Sequence, residues 1–359
     1  MPRIQSVDIL RGVTIAAMML VNNPGTWSAV YDPLLHAEWH GYTPTDLVFP
    51  FFLFIVGCSI AFAYRDKRPA AGAYRKIAVR SLKLIALGIF LGAFTLTFPF
   101  VKEWSAIRLP GVLQRIGLAF FFAALIALHV KSWRGLVGII AALLLSYWAW
   151  MGFIPLPDGA APTYERAPNN WAMFVDNLLL GTHTWQPDYD PEGLLSTIPS
   201  VATALIGVLT GRLLLSHQTG KTRTMLIAGA LLIGAGHLWH LAFPINKALW
   251  TSSFVLVTAG WALLCLGLIY YLTDVRRYQS GVAEVFKMVG ANALILYFLS
   301  SFIAKVFGLT GLHGWLFEQL YVHDFLPLKL SSLLYGLSVS GFYVLLGVWL
   351  YRRKIFFRV

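Results

Sequence analysis

Between positions 36 and 46 the chain places two imidazoles and two carboxylates: His36, Glu38, His40 and Asp46. An imidazole titrates near neutrality, at about 6.5 when unperturbed. It can therefore take a proton from an attacking amine or itself carry an acyl group. A histidine beside Glu38 and Asp46 reads as a base or a nucleophile. Two other readings stand next to that one: an interfacial histidine with a structural part, and a metal ligand. His36 and His40 are four apart, which on a helix gives one face, but Gly41 and Pro44 follow at once and no third ligand is evident. Thr45 and Asp46, just ahead of Leu47-Val48-Phe49, also read as a helix cap, with the acid suited to the dipole of a first turn.

Further polar groups interrupt apolar runs, where they are expensive and usually functional. Asn22-Asn23 precedes Pro24-Gly25, which cannot comfortably continue a helix. An Asn amide there donates either to the free carbonyls of the last turn or to a reacting carbonyl oxygen. Pro110-Gly111 opens another run, which Gln114 and Arg115 then enter. A lone Arg at membrane depth needs an anion or a cage of carbonyls. Here that means a phosphate or thioester carrier, or an acid on another helix. Two more polar stretches, 190–199 and 244–253, lead into apolar runs, and Trp250 in the second also fits an interfacial aromatic belt. No phosphate-binding glycine loop, dinucleotide pattern, nucleophile elbow or zinc motif is present in the sequence.

The elements that must position these residues are helices in a bilayer. Of the 359 residues, 58% are hydrophobic and 12% charged, against about 25% charged in an average soluble domain. A soluble core of this size could not hide so much apolar surface, so the excess faces lipid. Ten spans are expected, at roughly 7–22, 46–64, 84–101, 112–130, 135–153, 196–215, 225–243, 251–272, 283–305 and 330–351. The run 13–21 has the length of a signal core, but Asp8 leads it and Asn22-Asn23-Pro24-Gly25 takes the place of a cleavage site. It reads as a retained first helix. On this layout twenty-one Lys and Arg fall on the side of the termini, six on the other, and Arg115 within a span. By the positive-inside rule both termini are cytoplasmic, and the segment 23–45 and the long loop at about 154–195 face out. That loop is rich in Pro, Asp and Asn and shows no helical period. Twelve of the sixteen acidic residues lie on the outer side, either as a solvated face or as an attractor for a cationic or polyhydroxylated ligand. The formal charge of +12 is a product of topology, and no nucleic-acid partner is expected. Cys58 and Cys265 lie in apolar runs and form neither a disulfide framework nor a metal motif.

Six stretches carry a resemblance: 3–12 (RIQSVDILRG), 21–25 (VNNPG), 36–57 (HAEWHGYTPTDLVFPFFLFIVG), 110–116 (PGVLQRI), 190–197 (DPEGLLST) and 246–255 (NKALWTSSFV). They resemble the heparan-α-glucosaminide N-acetyltransferase family, in particular its short bacterial members. The resemblance implies a single transmembrane acyltransferase domain over 1–359, all-α and polytopic, in a bacterial inner membrane. It implies transfer of an acetyl group from cytoplasmic acetyl-CoA to the amine of a glucosamine-type sugar on the far side. The donor would lie in a tunnel between helices, its nucleotide toward the cytoplasm and its thioester near His36. His36 and Asn22 would be catalytic, with Asp46 and Glu38 in support. Binding of acetyl-CoA or the acceptor would fall to Trp39, Gln114, Arg115, Glu192, Asn246, Lys247, Trp250, Ser252 and Ser253. No metal is implied, no role is carried onto His40, and a homodimer is left open. Ten spans with polar helix breaks also suit an amino-sugar or N-acetylglucosamine transporter without catalysis.

Overall fold

The structure is a computed structural model that describes residues 4–65, 69–278 and 280–357. Arg3 of the first motif and Lys67, Arg68 and Arg358 of the charge count lie outside the described residues. The described chain is helical: α1 (Gln5–Asn22), α2 (Val48–Tyr64), α3 (Ala71–Ala93), α4 (Val112–His129), α5 (Trp133–Phe153), α6 (Trp171–Leu180), α7 (Thr197–Leu215), α8 (Lys221–His240), α9 (Ser252–Tyr270), α10 (Gly281–Gly290), α11 (Ala293–Thr310), α12 (Leu312–Tyr321) and α13 (Leu328–Arg352). Among the described residues, seven stretches are long and apolar enough to cross a membrane: Pro44–Tyr64, Val112–His129, Trp133–Phe153, Thr197–Leu215, Ser252–Val275, Ala293–Thr310 and Leu328–Arg352. The other helices of at least eighteen residues, α1, α3 and α8, fall outside that set. This is a multi-pass membrane protein.

Two expected spans differ in form. The stretch expected at 84–101 is a helix that begins at Ala71 and ends at Ala93. Arg75, Lys76 and Lys83 ride exposed on its first turns, and long cationic side chains do so by carrying their heads to the interface, whereas Arg80 turns inward over the Phe120 ring. Beyond it the chain turns back through Pro99, pairing Phe94 with Val101. The stretch expected at 283–305 is two helices, α10 and α11, broken at 291–292. Asn292 at the break donates to the Ile355 carbonyl at 2.9 Å and accepts from Phe357 N at 3.3 Å, so the polar groups of the break are satisfied by the C-terminal segment.

Helix contacts rely on small residues where backbones meet, as expected in lipid. A Cβ on Gly207 of α7 would lie 2.0 Å from the Phe54 carbonyl oxygen of α2, and one on Gly57 would lie 1.9 Å from that of Ala204. A Cβ on Gly12 of α1 would lie 1.9 Å from the Phe286 oxygen of α10. The core therefore sits where α1, α2, α4, α7 and α9 meet. A second apolar cluster holds the long loop down: Trp171, Leu156, Leu195, Phe243 and Leu249 pack together at the bundle end. That loop contains a helix, α6, which its sequence did not suggest. Asn170 caps α6 by accepting from Ala172 N at 3.0 Å, and Trp171 donates to the Ile154 carbonyl at 2.7 Å. The loop is thus a packed cover, and Trp39 is tied into it by a 3.0 Å bond to the Tyr164 carbonyl.

Candidate active site

The site forms at the bundle end that carries the segments 23–47 and 154–196. α1 stops at Asn22. It is the neighbouring Asn23 that satisfies the helix end, donating to the Met19 carbonyl at 2.7 Å. Asn22 is left exposed on the wall of a cavity of about 410 Å³. His36, Glu38, Trp39, Asp46, Glu192 and Lys247 line the same cavity.

Asp46 organises it. Its side chain is 1% exposed, and its two oxygens are used differently. Oδ2 accepts from Thr43 N (3.0 Å), the Thr43 hydroxyl (3.2 Å) and Ala37 N (3.0 Å). That is the acidic half of a helix cap over the 3₁₀ turn Pro44–Leu47, and it ties the 36–43 segment to the start of α2. Oδ1 faces His36 Nδ1 at 2.7 Å and Lys247 Nζ at 3.2 Å. The cap reading and the chemical reading of Asp46 are therefore both realised, one on each oxygen. Lys247 Nζ also stands 2.9 Å from His36 Nδ1 and 3.2 Å from Nε2. A carboxylate only accepts, so the Oδ1 contact calls for the proton on Nδ1, and Nε2 is then the ring acceptor that Lys247 approaches at 3.2 Å. Burial lowers the proton affinity of the Lys247 amine, and Asp46 works against that effect without cancelling it.

His40 belongs to a different environment. Its Nε2 lies 3.1 Å from Glu165, and its Nδ1 3.4 Å from the Asn246 amide. The 35–43 segment is not helical, so the shared helix face that a metal pair would need does not exist. Glu38 lines the cavity, but among the described residues it makes no hydrogen bond to His36.

The cavity's opposite wall comes from the 108–112 and 185–192 segments. Arg108 donates to both oxygens of Asp190, at 2.7 and 2.6 Å, and also pairs with Glu192. Burial opposes the charge on Arg108, but the two carboxylates outweigh it and hold the guanidinium above its ordinary range. The aromatic rings of Trp27, Trp185 and Tyr189 complete the wall.

Six residues expected to bind a ligand do not line this cavity. Gln114 donates to the Leu109 carbonyl at 3.0 Å and closes the turn into α4. Arg115, 1% exposed, takes the carbonyl-cage option: it donates to Gly193 O at 2.9 Å and to the Ser196 hydroxyl, with its guanidinium 5.1 Å from the Trp250 ring centre. Trp250 is wholly buried, not in an interfacial belt, and its Nε1 donates to Thr203 at 3.1 Å. Asn246 accepts from Leu249 N at 2.9 Å, Ser252 donates to Leu144 O at 2.8 Å, and Ser253 donates to Phe243 O at 2.6 Å. Trp250 sits at φ +50°, the left-handed turn that lets this stretch close on itself. Asn246, Trp250, Ser252 and Ser253 thus anchor the turn that carries Lys247, while Nε and Nη1 of Arg115 are buried without a hydrogen-bond partner.

A second cavity, of about 360 Å³, lies deeper in the bundle and is lined by Arg11, Ser59, Arg80 and Phe120 among others. The two cavities share helix faces. On α2, Val48 and Phe49 line the first, and Phe52, Val56 and Ser59 the second; on α4, Val112 lines the first, and Ile116 and Phe120 the second. Three or four residues separate the two linings on each helix, which at 1.5 Å per residue is about one turn. On α1, Asn22 and Arg11 mark the two levels, about 16 Å apart by the same rise. Arg11 donates to Ser59 at 2.8 Å, and Arg80 lies over the Phe120 ring at 4.7 Å with its buried Nε unpartnered. Arg80 belongs to the cationic segment 65–83, which the sequence offers either as a topology signal or as an approach for a CoA phosphate; Arg11 carried no signal beyond a cationic side chain on an otherwise apolar helix.

Fold and site together define a helical membrane protein with a carboxylate-held imidazole facing a polar cavity. The family model described as heparan-alpha-glucosaminide N-acetyltransferase, catalytic, matches residues 3–241, and the chain belongs to that family. The human heparan-alpha-glucosaminide N-acetyltransferase is 29% identical over 419 aligned residues, covering 100% of this chain and 60% of its own length. The mouse protein of the same name is 27% identical over 418, covering 99% of this chain and 60% of its own. The chain thus spans about three fifths of the length of these relatives.

Proposed function

We propose that this protein is an acetyl-CoA-dependent N-acetyltransferase that moves an acetyl group through the bundle to the amine of a glucosamine-type sugar. One observation carries the reading: His36, held by Asp46, faces a cavity that also holds Asn22 and lies one helical turn above a second, cationic cavity. The charge asymmetry of the sequence supports a cytoplasmic side for the second cavity and the opposite side for His36, which in this reading is the periplasmic face of a bacterial inner membrane. The donor's phosphates are anions, and Arg80 is suited to them, whereas the Arg11 charge is paired with Asp8 at 2.9 Å. The buried, unpartnered Nε of Arg80 fits an oxygen acceptor.

His36 Nε2 attacks the thioester carbonyl or takes the proton of the attacking amine. In either route the C–S bond breaks, an N–C bond forms and the thiol leaves with a proton. The Asn22 amide donates to the carbonyl oxygen as charge develops on it. Glu38 and Glu192 attract the ammonium form of the sugar to the mouth, and the Trp27, Trp39 and Trp185 rings offer flat apolar faces to it. The two routes differ in one intermediate: only the first passes through an acetyl-histidine, which the sugar amine then cleaves to regenerate the imidazole.

Labelled acetyl-CoA and glucosamine, mixed with purified protein, test the reading. Labelled N-acetylglucosamine is expected from the wild type, with a loss of at least about a thousandfold in His36→Ala. No transfer by the wild type, or unchanged transfer by the variant, refutes it. Uptake of N-acetylglucosamine into vesicles without any acetyl-CoA would point to a transporter.

A further inference from the structure

We propose that Lys247 is a positioning residue: it supplies the positive charge beside Asp46, so that His36 stays neutral next to a buried carboxylate. This inference deepens the proposed function and rests on it for its purpose, but its physical content can be measured without any substrate.

Asp46 is buried, and its Oδ1 has two neighbours, the His36 ring at 2.7 Å and the Lys247 ammonium at 3.2 Å. A buried carboxylate paired with an imidazole alone draws a second proton onto the ring, because an opposite charge nearby favours the charged form. An imidazolium has no lone pair and can neither accept an acyl group nor take a proton. The other groups facing the cavity do not correct this. Glu38 and Glu192 are anionic, and Tyr189 and Asn22 are uncharged. The Arg108 charge is matched by Asp190 and Glu192. Lys247 is the cation in contact with the ring among the described residues, 2.9 Å from Nδ1 and 3.2 Å from Nε2. Two cations cannot share one carboxylate oxygen at these distances without strong repulsion, so the ammonium excludes the imidazolium. The turn that carries Lys247 is built from fully buried polar residues, Asn246, Thr251, Ser252 and Ser253, each bonded within the protein. Such a turn holds the amine in place, as a role in tuning the ring requires.

Carbethoxylation of His36 by diethyl pyrocarbonate reads the ring directly, because the reagent attacks the neutral imidazole. The rate at His36, localised by fragment masses, is followed from about pH 5 to about pH 9 in purified protein. In Lys247→Met the midpoint is expected to rise by one pH unit or more, a tenfold change in proton affinity. Lys247→Arg, which keeps the charge, is expected to retain the wild-type midpoint. Lys247→Gln reads the same shift if the Met variant does not fold. An unchanged or lowered midpoint in the neutral variants overturns the inference, as does an equal shift in the Arg variant. Acetyl transfer is assayed on the same preparations. A raised midpoint in a protein that never transfers acetyl strikes the proposed function alone, and transfer without the shift strikes this inference alone.

Discussion

Replacing Asp46 with asparagine separates the two jobs of that side chain. The shapes match, but the hydrogen-bond character does not. The Oδ2 position receives three donors, Ala37 N, Thr43 N and the Thr43 hydroxyl, at 3.0, 3.0 and 3.2 Å. The amide oxygen of an asparagine must sit there, and its NH₂ group must then face His36 where Oδ1 now lies 2.7 Å from Nδ1. An amide NH₂ only donates. Nδ1 must become the acceptor, so the ring proton moves to Nε2, the atom the chemistry needs bare. The cap is kept and the tautomer is lost. Carboxylate-to-amide changes of this kind lower turnover by about 10⁴, or about 5.5 kcal/mol at 1.36 kcal/mol per decade. If Asp46 only capped, the asparagine, which keeps the cap, would leave the rate alone, and only removal of the cap as in Asp46→Ala would cost about 1 kcal/mol of stability. Initial rates of labelled acetyl transfer, taken with melting temperatures of the same samples, separate the two cases. A variant that keeps more than about a tenth of the wild-type rate refutes the assignment of the Nδ1 proton to the Asp46 side of the ring.

Arg108→Ala leaves Asp190, whose side chain is fully buried, without its cation; a loss of about 3–5 kcal/mol in denaturant unfolding is expected, and a loss under 1 kcal/mol contradicts the pairing. Asp176 in α6 has its carboxyl pushed up to about 6 from 3.8, first by burial and against the bond from Leu194 N. Its folded value lies above its unfolded one, so stability is lost as pH rises from about 4 through about 6. Asp176→Asn should therefore raise the melting temperature at pH 8 and change it little at pH 4, and an equal effect at both would remove desolvation as the cause. Gly207→Val puts a side chain where a Cβ already meets the Phe54 carbonyl oxygen at 2.0 Å, so loss of folded protein by size-exclusion chromatography is expected, while normal yield would show that α2 and α7 can part.

Much of this was legible in the chain. The alternation of apolar runs with charged turns located nearly every long helix, because lipid enforces that pattern over some twenty residues at a time. It erred where the cause was local. The break at Asn292 follows from backbone packing of Gly290 against Asp8 across α1, a contact no hydropathy window contains. α6 was missed because it is short and stabilised by Asn170 and the Trp171 anchor rather than by its own period. At the site, residue types and spacing marked the 36–46 cluster and the Asn22-Asn23 pair, the family resemblance pointed to His36 and Asn22 within them, and both line one cavity with Asp46. Lys247 came with the 246–253 motif, but its partners on the 36–46 segment could only be seen once the fold brought the two together. The buried members of that motif are polar and clustered in sequence; in space they bond to the turn and to its neighbours on α5 and α7, contacts that no sequence spacing shows. Arg11 went unmarked because single cations on amphipathic helices ordinarily report topology, and Arg80 was legible only as one charge of the cationic segment 65–83.

The most direct test of the account is sidedness. Proteoliposomes of known orientation receive labelled acetyl-CoA only at the face that carries the chain termini, with glucosamine confined to the other. Labelled N-acetylglucosamine should accumulate on the side of the amine, and the accumulation should vanish in His36→Ala. Product formed only when donor and amine share a face, or transfer across the bilayer that survives loss of the imidazole, would contradict it.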